Sequence, residues 1–389
     1  MNTLDEARKL KSWMVKLRRD FHMYPEPSFE EVRTSKVIAE ELKNMEIDVA
    51  AVGKTGVIGL LKGKNQGKVI ALRADIDGLS VIEKTGLSYS SKNPGYMHAC
   101  GHDTHITKLL GAAKILSHFK NELCGSVKFI FQPAEELGAG AAYMIEHGVL
   151  ENPKVDMIVG MHTFGLIEIG KVVVQEGFLM ASIDTWHLTI EGKSCHGSSP
   201  WQGIDAMPCA LSVMKGFETI VTRFNDARNP VVINIGTVNA GERFNVVPGK
   251  VEITGSNRTF SEYSREMIPK WMKKMIDNVC DTYGCKAQFG YEMGCGPTVN
   301  EIVSTEFVKK SVVGVIGEEN IIQIPPIMGS EDFASYLKKV PGTFLILGGG
   351  NKEKGYMYSQ HSNYFTIDED CLSVGASVYA QIACDFLKN

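Results

Sequence analysis

The first half of the chain alternates between segments with helical spacing of apolar residues and short apolar runs typical of strands. Helical spacing covers residues near 3–21, 30–45 and 104–120. The apolar runs are Lys68–Leu72, Val127–Phe131 and Val155–Met161. Because parallel strands need long crossover connections, usually helices, this alternation predicts an α/β fold with a mixed, largely parallel sheet flanked by helices.

The pattern changes between residues 182 and 295, where the elements run in the order strand, helix, strand, strand, helix, strand. This is the ferredoxin-like supersecondary order. From Gly296 onward the α/β pattern returns. We therefore predict a discontinuous catalytic domain, residues 1–181 and 296–389, interrupted by an inserted ferredoxin-like α+β domain at 182–295. The six elements of the insertion are Thr185–Glu191, Ile204–Phe224, Val231–Val238, Lys250–Asn257, Ser264–Tyr283 and Lys286–Tyr291.

Polar side chains follow each of the three apolar runs of the first half. Asp75 and Asp77 follow the first run, Glu135 and Glu136 follow the second, and His162 follows the third. Open α/β sheets bind ligands just beyond the carboxyl ends of their strands. The sequence therefore predicts metal-type ligands at three strand ends.

The segment MHACGHD at 97–103 adds a cysteine and a histidine at a spacing that suits a metal ion. Side chains two apart in an extended turn point the same way, and Gly101 permits backbone angles that let Cys100 and His102 reach one ion. A thiolate with an imidazole favours zinc, manganese, cobalt or nickel over calcium or magnesium.

The adjacent carboxylates Glu135 and Glu136 can divide two tasks between them. Neighbouring side chains of an extended chain face opposite sides, so one carboxylate can bind a metal while the other acts on a water as general base and then general acid. Two ions about 3.5 to 4 Å apart polarise a carbonyl and acidify a shared water, which suits amide hydrolysis. The candidate ligands for two divalent ions are Cys100, His102, Glu136, His162 and His361.

Composition and charge narrow the classes of partner. The 389 residues contain 41 Lys and Arg against 45 Asp and Glu, and no basic tract interrupts this balance, so we expect no nucleic-acid or membrane partner. The first residues, MNTLDEARKL, lack the apolar core of a signal peptide, so we expect a cytoplasmic protein. Nine cysteines, an odd number, fit reduced thiols better than a disulfide framework.

Taken together, these motifs resemble the cocatalytic metallopeptidases that include aminoacylase and carboxypeptidase G. The resemblance is to their amidohydrolase branch, which contains hippurate hydrolases, N-acyl-amino-acid amidohydrolases and the plant hydrolases of auxin conjugates, and it covers nearly the whole chain. The segments that carry it are RRDFHMYPEPSFEE at 18–31, ALRADIDGL at 71–79, MHACGHD at 97–103, FQPAEE at 131–136, GMH at 160–162, GSEDF at 329–333 and HSNYF at 361–365.

The resemblance implies roles for individual residues. It implies that the five candidate ligands bind two divalent ions, that Glu135 is the catalytic base and that Asp77 orients a ligand from outside the metal shell. In the inserted domain, GKSCHGSSP at 192–200 resembles the segment whose histidine, here His196, stabilises the oxyanion, in relatives across a dimer interface. The segments FNVVPG at 244–249 and SNRTF at 256–260 imply that Asn245 and Arg258 hold the substrate carboxylate. The inserted domain would then serve as a lid and dimerisation domain of a homodimer.

Departures from the family pattern limit which properties of relatives can be expected of this chain. After GMH the chain runs TFGLIEIG, HSN replaces the commoner His-x-Pro, and Cys195 precedes His196. These positions fall near the expected substrate pocket, so the preferred acyl group and amino acid are not inherited.

We therefore expect a metal-dependent amidohydrolase that cleaves N-acyl-amino acids. A dipeptidase or small-peptide carboxypeptidase, and a non-catalytic metal-stabilised binding module, are the alternatives. The glycines of LGGGN at 347–351 lack the spacing of a dinucleotide-binding motif, and a cysteine hydrolase built on Cys100 would leave Glu135, Glu136 and His162 unexplained.

Overall fold

A computed structural model describes residues 2–388 and divides the chain into two compact units. The first unit comprises the residues up to Leu179, Val299–Pro325 and the residues from Asp332 onward. The second unit comprises Met180–Thr298 and Pro326–Glu331.

The structure thus assigns Pro326–Glu331 to the second unit, whereas the sequence pattern placed it in the last part of the catalytic domain. The backbone amide of Ala181 donates to the carbonyls of Ile327 (3.0 Å) and Gly329 (2.9 Å), which ties the segment to the start of the second unit. A short irregular segment has no periodicity that could reveal such a contact.

The helices and strands are labelled in chain order. The helices are α1 (Thr3–Lys9), α2 (Lys11–Met23), α3 (Val32–Asn44), α4 (His102–His118), α5 (Gly140–Glu146), α6 (Ala206–Thr219), α7 (Glu262–Tyr283), α8 (Ile302–Ile316), α9 (Ala334–Leu337) and α10 (Cys371–Phe386). The strands are β1 (Asp48–Val52), β2 (Gly56–Lys62), β3 (Asn65–Asp75), β4 (Cys124–Gln132), β5 (Met157–Glu168), β6 (Val172–Val173), β7 (Gly177–Met180), β8 (Asp184–Glu191), β9 (Val231–Ala240), β10 (Lys250–Thr259), β11 (Lys286–Met293), β12 (Thr298–Asn300), β13 (Ile321–Ile322) and β14 (Gly342–Gly350).

The first unit is built on an eight-stranded sheet in the order β1-β2-β4-β3-β5-β14-β6-β13. The four central strands, β4, β3, β5 and β14, are parallel to one another, and β1, β2 and β6 pair antiparallel to their inner neighbours. The mixed, largely parallel sheet predicted from the sequence is therefore confirmed.

The central strands form the core of the first unit. The last seven residues of β3 are all buried, which explains why this strand reads as a continuous apolar run rather than an alternating one. Helix α4 packs against β3 on one side and against α2 and α10 on others, so it is buried nearly all round. Its first turn is consequently fixed at the end of the sheet where β3 and β4 finish.

Three local features differ from the sequence prediction. The first predicted helix is two helices, α1 and α2, separated at Leu10. The antiparallel β1–β2 pair was not predicted, although β2 contains the apolar residues Val57, Ile58, Leu60 and Leu61. His162 was expected at the end of a strand, but β5 continues to Glu168 because its pairing with β14 extends past that point.

The second unit has the order β8-α6-β9-β10-α7-β11 and an antiparallel sheet in the order β11-β8-β10-β9. This is the ferredoxin-like arrangement predicted from the sequence. In β8, buried and more exposed residues alternate, and Trp186 and Leu188 face a core that also contains Phe217 of α6 and Met272 of α7. The unit therefore has a hydrophobic core of its own.

Within residues 2–388, no helix is both long enough and apolar enough to cross a membrane.

Candidate metal centre

The predicted ligands converge at the carboxyl end of the first unit's central sheet. Asp75 is the last residue of β3, and Glu135 and Glu136 follow the end of β4 by a few residues. His102 is the first residue of α4. The turn before it has Gly101 at a φ of 88°, a left-handed conformation that favours glycine, and this turn carries Cys100.

Two histidines of the centre are oriented by their own backbone surroundings. The Nδ1 atom of His102 donates to the carbonyl oxygen of Asp77 (2.9 Å), and Nδ1 of His162 donates to the carbonyl oxygen of Thr163 (3.0 Å). Because a carbonyl oxygen can only accept, both rings carry their proton on Nδ1. The Nε2 atom of each ring is therefore the one that can bind a metal.

The predicted ligands form two overlapping triples that share one residue. Cys100, His102 and His162 form the first, and Cys100, Glu136 and His361 form the second; within each triple the ligand atoms lie within 4.8 Å of one another. The Sγ of Cys100 is 3.2 Å from Nε2 of His162, and Nε2 of His361 is 3.5 Å from Oε2 of Glu136. Adjacent ligands of one tetrahedral ion lie about 3.4 to 3.6 Å apart, so the 3.5 Å spacing fits this range and the 3.2 Å spacing is slightly shorter.

Buried polar atoms give an independent test of whether the residues fit metal ions. Nε2 of His102 and Oε1 of Glu136 lie 3.7 Å apart, and both are buried without a hydrogen bond in the part of the chain that the structure describes. Burying a polar atom without a partner is unfavourable, by about 1 to 3 kcal/mol. A cation between these two atoms would satisfy both, so the residues present fit a metal site.

The electrostatics of the centre also favour bound cations. Burial opposes a charged imidazole, but the carboxylates of Asp75, Asp77 and Glu136 outweigh it and raise the pKa of His102 to about 10. Burial raises the pKa of Glu136 to about 7 and holds the pKa of His162 well below its usual range. The cluster thus combines an excess of negative charge with the neutral ring of His162. Both features would stabilise a bound cation.

Asp77 connects the ligands to the Glu135–Glu136 turn. Its carboxylate lies 3.2 Å from Nδ1 of His102 and accepts the backbone amides of Glu135 and Glu136, each at 3.2 Å, and the hydroxyl of Ser28 at 2.7 Å. Burial opposes the ionised form, but the bond from His102 outweighs it and lowers the pKa of Asp77. The side chain therefore sits where a residue that orients a ligand would be needed.

The structure also places His105 in this centre, although the sequence pattern around it predicted no specific role. Its Nδ1 donates to Asp75 at 2.5 Å, and its Nε2 accepts the backbone amide of Thr163 at 2.8 Å. Thr163 follows His162, whose ring centroid is 4.4 Å from that of His105. His98 is also buried, but neither of its ring nitrogens makes a hydrogen bond within the described residues.

His196 and Asn245 are neighbours in the second unit. The amide of Gly197 donates to the carbonyl of Asn245 at 2.8 Å. His196 is exposed, and its Nδ1 accepts the amide of Ser198 at 3.2 Å, so a neutral ring carries its proton on Nε2. Oδ1 of Asn245 is buried and makes no hydrogen bond within residues 2–388.

Arg258 lies near the end of β10 in the same unit. Its Nη1 donates to the carbonyl of Met328 (3.1 Å) and to the hydroxyl of Ser330 (3.2 Å). These contacts fix one edge of the guanidinium, and partial burial lowers the pKa of the group.

Three comparisons with known proteins place this geometry in context. Residues 71–385 match the model of peptidase family M20/M25/M40. Thermostable carboxypeptidase 1 of Saccharolobus solfataricus is 37% identical to this chain, and the match covers 98% of this chain and 97% of the carboxypeptidase. N-acetylcysteine deacetylase of Bacillus subtilis is also 37% identical, and the match covers 96% of this chain and 97% of the deacetylase. The crystal structure of the Bacillus subtilis YXEP protein, described as a dinuclear metal binding peptidase, has a TM-score of 0.85 and 35% identity over 98% of this chain and 99% of that one.

Proposed function

The chain belongs to peptidase family M20/M25/M40 and is a metal-dependent hydrolase, and from this premise we propose that it cleaves the amide bond of N-acyl-amino acids to a carboxylic acid and an amino acid. The observation that carries the proposal is the pair of ligand triples that share Cys100, with Glu135 beside them. Nε2 of His102 is 4.0 Å from Oε2 of Glu135 and 3.7 Å from Oε1 of Glu136.

In this proposal Cys100, His102, Glu136, His162 and His361 hold two divalent ions. When bound, such ions supply Lewis acidity that polarises an amide carbonyl and makes a water acidic enough to react near neutral pH. The donor set, one thiolate with imidazoles and a carboxylate, suits zinc, manganese, cobalt or nickel.

Glu135 supplies the proton transfers in the proposed reaction. Its carboxylate takes a proton from the attacking water and passes it to the leaving amine. The side chain is 11% exposed, so it is sheltered from bulk solvent yet open enough to meet a substrate. Asp77 contributes indirectly, because it fixes both the ring of His102 and the backbone amide of Glu135.

We assign the substrate's polar groups to residues of the second unit. His196 would donate from Nε2 to the oxyanion of the tetrahedral intermediate, and the tautomer indicated by Ser198 supports this. Arg258 would pair with the free carboxylate of the amino acid through its planar fork, assisted by the carboxamide of Asn245. In this scheme the second unit supplies the groups that recognise the substrate.

The second unit also supports a homodimer. Strand β9 is at the edge of its sheet, and within the described residues no strand pairs with its outer side. Val232 and Val238 of this strand are 38% and 42% exposed. An exposed edge strand with apolar side chains is a template for pairing with a second chain. In a homodimer of this kind, His196 could serve the metal centre of the partner subunit.

A second candidate function is cleavage of dipeptides or of the C-terminal residue of small peptides. A peptide bond and an N-acyl amide present the same carbonyl and the same leaving amine to the centre. The observation that favours this candidate is the similarity to a protein named as a carboxypeptidase.

Hydrolysis of a defined panel tests both functions. The panel contains N-acetyl, N-benzoyl and indole-acetyl amino acids with dipeptides, assayed after chelation and after addition of zinc, manganese, cobalt or nickel. Metal-dependent release of amino acid that disappears in Glu135→Gln supports the proposal, and the preferred substrates separate the two candidates. Metal binding without cleavage of any panel member would instead favour a non-catalytic binding module.

A further inference from the structure

A buried glutamate of the N-terminal segment reaches the turn that carries Glu135. Glu31 is fully buried at the start of α3, yet its side chain does not cap that helix. The first turn of α3 is capped by Glu26, which accepts the amides of Arg33 (3.0 Å) and Thr34 (2.7 Å). The carboxylate of Glu31 is thus left for contacts elsewhere.

Both oxygens of Glu31 are used by residues far away in the sequence. Oε1 accepts the backbone amide of Ala134 at 3.0 Å, and Oε2 accepts the hydroxyl of Thr55 at 2.6 Å. Burial raises the pKa of Glu31, while the bonds from Thr55 and Ala134 oppose that rise, because hydrogen bonds to an ionised acceptor are roughly twice as strong as bonds between neutral groups. Glu31 therefore ties the residue before Glu135 to the start of α3 and to Thr55, in the turn between β1 and β2.

The residue that Glu31 holds has an unusual backbone conformation. Ala134 has a φ of 55° and a ψ of 41°, in the left-handed region that residues with a Cβ rarely adopt. Such a conformation persists only where the surroundings enforce it. The space beside it is equally constrained, since a Cβ on Gly140 would lie 1.8 Å from the carbonyl oxygen of Pro133.

Three consecutive amides of this turn donate to buried carboxylates. Ala134 donates to Glu31, while Glu135 and Glu136 donate to the two oxygens of Asp77. The backbone direction at Ala134 decides where the two following side chains project. Asp77 holds the turn from the side of His102, and Glu31 holds it from the side of α3.

We propose that Glu31 is a positioning residue that enforces the left-handed turn at Ala134 and thereby places the carboxylate of Glu135 for proton transfer. This inference rests on the proposed function, in which Glu135 is the base. The proposal gives a function to the segment at 18–31, which resembles the family sequence but had no assigned role. Glu31 itself does not touch the reacting atoms.

The experiment compares Glu31→Ala and Glu31→Gln with Glu30→Ala. Glu30 is the neighbouring residue, of the same type but exposed, so it controls for the loss of a carboxylate from this segment. Gln keeps an acceptor oxygen for the amide of Ala134, and it is the conservative variant that should restore function. The measurements are kcat and KM, bound metal per chain, and hydrogen exchange of the amides at 134–136.

We expect Glu31→Ala to lower kcat by about 10- to 100-fold, because a base displaced by about 1 Å loses that much. KM and metal content should stay close to those of the unchanged protein, and exchange at 134–136 should become faster. Glu31→Gln should recover most of kcat, and Glu30→Ala should behave as the unchanged protein.

If Glu31 had a purely structural role, Glu31→Ala would lower the stability of the protein without changing kcat. Unchanged kcat per folded, metal-loaded chain in Glu31→Ala, with unchanged exchange at 134–136, would overturn the proposal. If Glu31→Ala does not fold, Glu31→Asp keeps the charge but shortens the reach by one methylene, and kcat and exchange equal to the unchanged protein would overturn it equally. If the unchanged protein cleaves nothing on the panel, the proposed function fails, while the exchange measurement still decides whether Glu31 holds the turn.

Discussion

The metal centre of the first unit and the candidate substrate residues of the second unit differ in how firmly the chain holds them. In the first unit, His102 and His162 are buried, and the Nδ1 of each is fixed by a hydrogen bond. In the second unit, His196 is exposed and contacts mainly its own loop. His102 and His162 are therefore preorganised by the fold, whereas the side chain of His196 is held by contacts within its own loop.

Cys100→Ala should produce the largest effect, because this residue belongs to both ligand triples. We expect loss of both ions and of all detectable hydrolysis, measured by metal content after dialysis and by the substrate panel. Cys124→Ala is the matched control, since that cysteine begins β4, away from the centre. Full metal content in Cys100→Ala would show that the first unit's centre is not built around a shared thiolate.

Glu135→Gln should separate chemistry from metal binding within the same turn. We expect kcat to fall by about 10² to 10⁴, because a neutral amide cannot accept the proton of water. Metal content should be unchanged, while Glu136→Gln should lose metal. If both variants lose metal to the same extent, the division of tasks between the two carboxylates is wrong.

His196→Ala should lower kcat by about 10² to 10³, the usual effect of removing one oxyanion donor. Metal content should not change, because the residue lies in the other unit. His187→Ala, which removes an exposed histidine from β8 of the same unit, is the control. An equal effect on kcat in both variants would contradict a specific role for His196.

The His196→Ala variant can also show whether His196 and Glu135 of one active site belong to different chains. Mixing inactive Glu135→Gln with inactive His196→Ala should restore part of the activity if His196 acts across a homodimer, because one mixed site then contains both side chains. No recovery under conditions that exchange subunits would restrict His196 to its own chain.

Sequence patterns predicted which ligand-type residues lie close together better than they predicted the contacts that support them. The apolar runs identified β3 and β4, and the polar residues that follow them lie at one edge of the sheet. His162 was displaced from the predicted strand end because β5 continues through pairing with β14, which no local pattern encodes. The contact of Glu31 with Ala134 joins residues 103 positions apart, so only the fold reveals it.

His105→Gln should have the smallest effect in this series and tests how far the preorganisation of the first unit extends. The ring links Asp75 to the amide of Thr163, next to His162. Losing such a support typically weakens metal binding by about 10- to 100-fold. Titration with cobalt, followed by its visible absorption, should show weaker binding and an altered spectrum, whereas His118→Gln at the exposed end of α4 should leave both unchanged. Unaltered affinity and spectrum in His105→Gln would mean that His162 is held by its own strand alone.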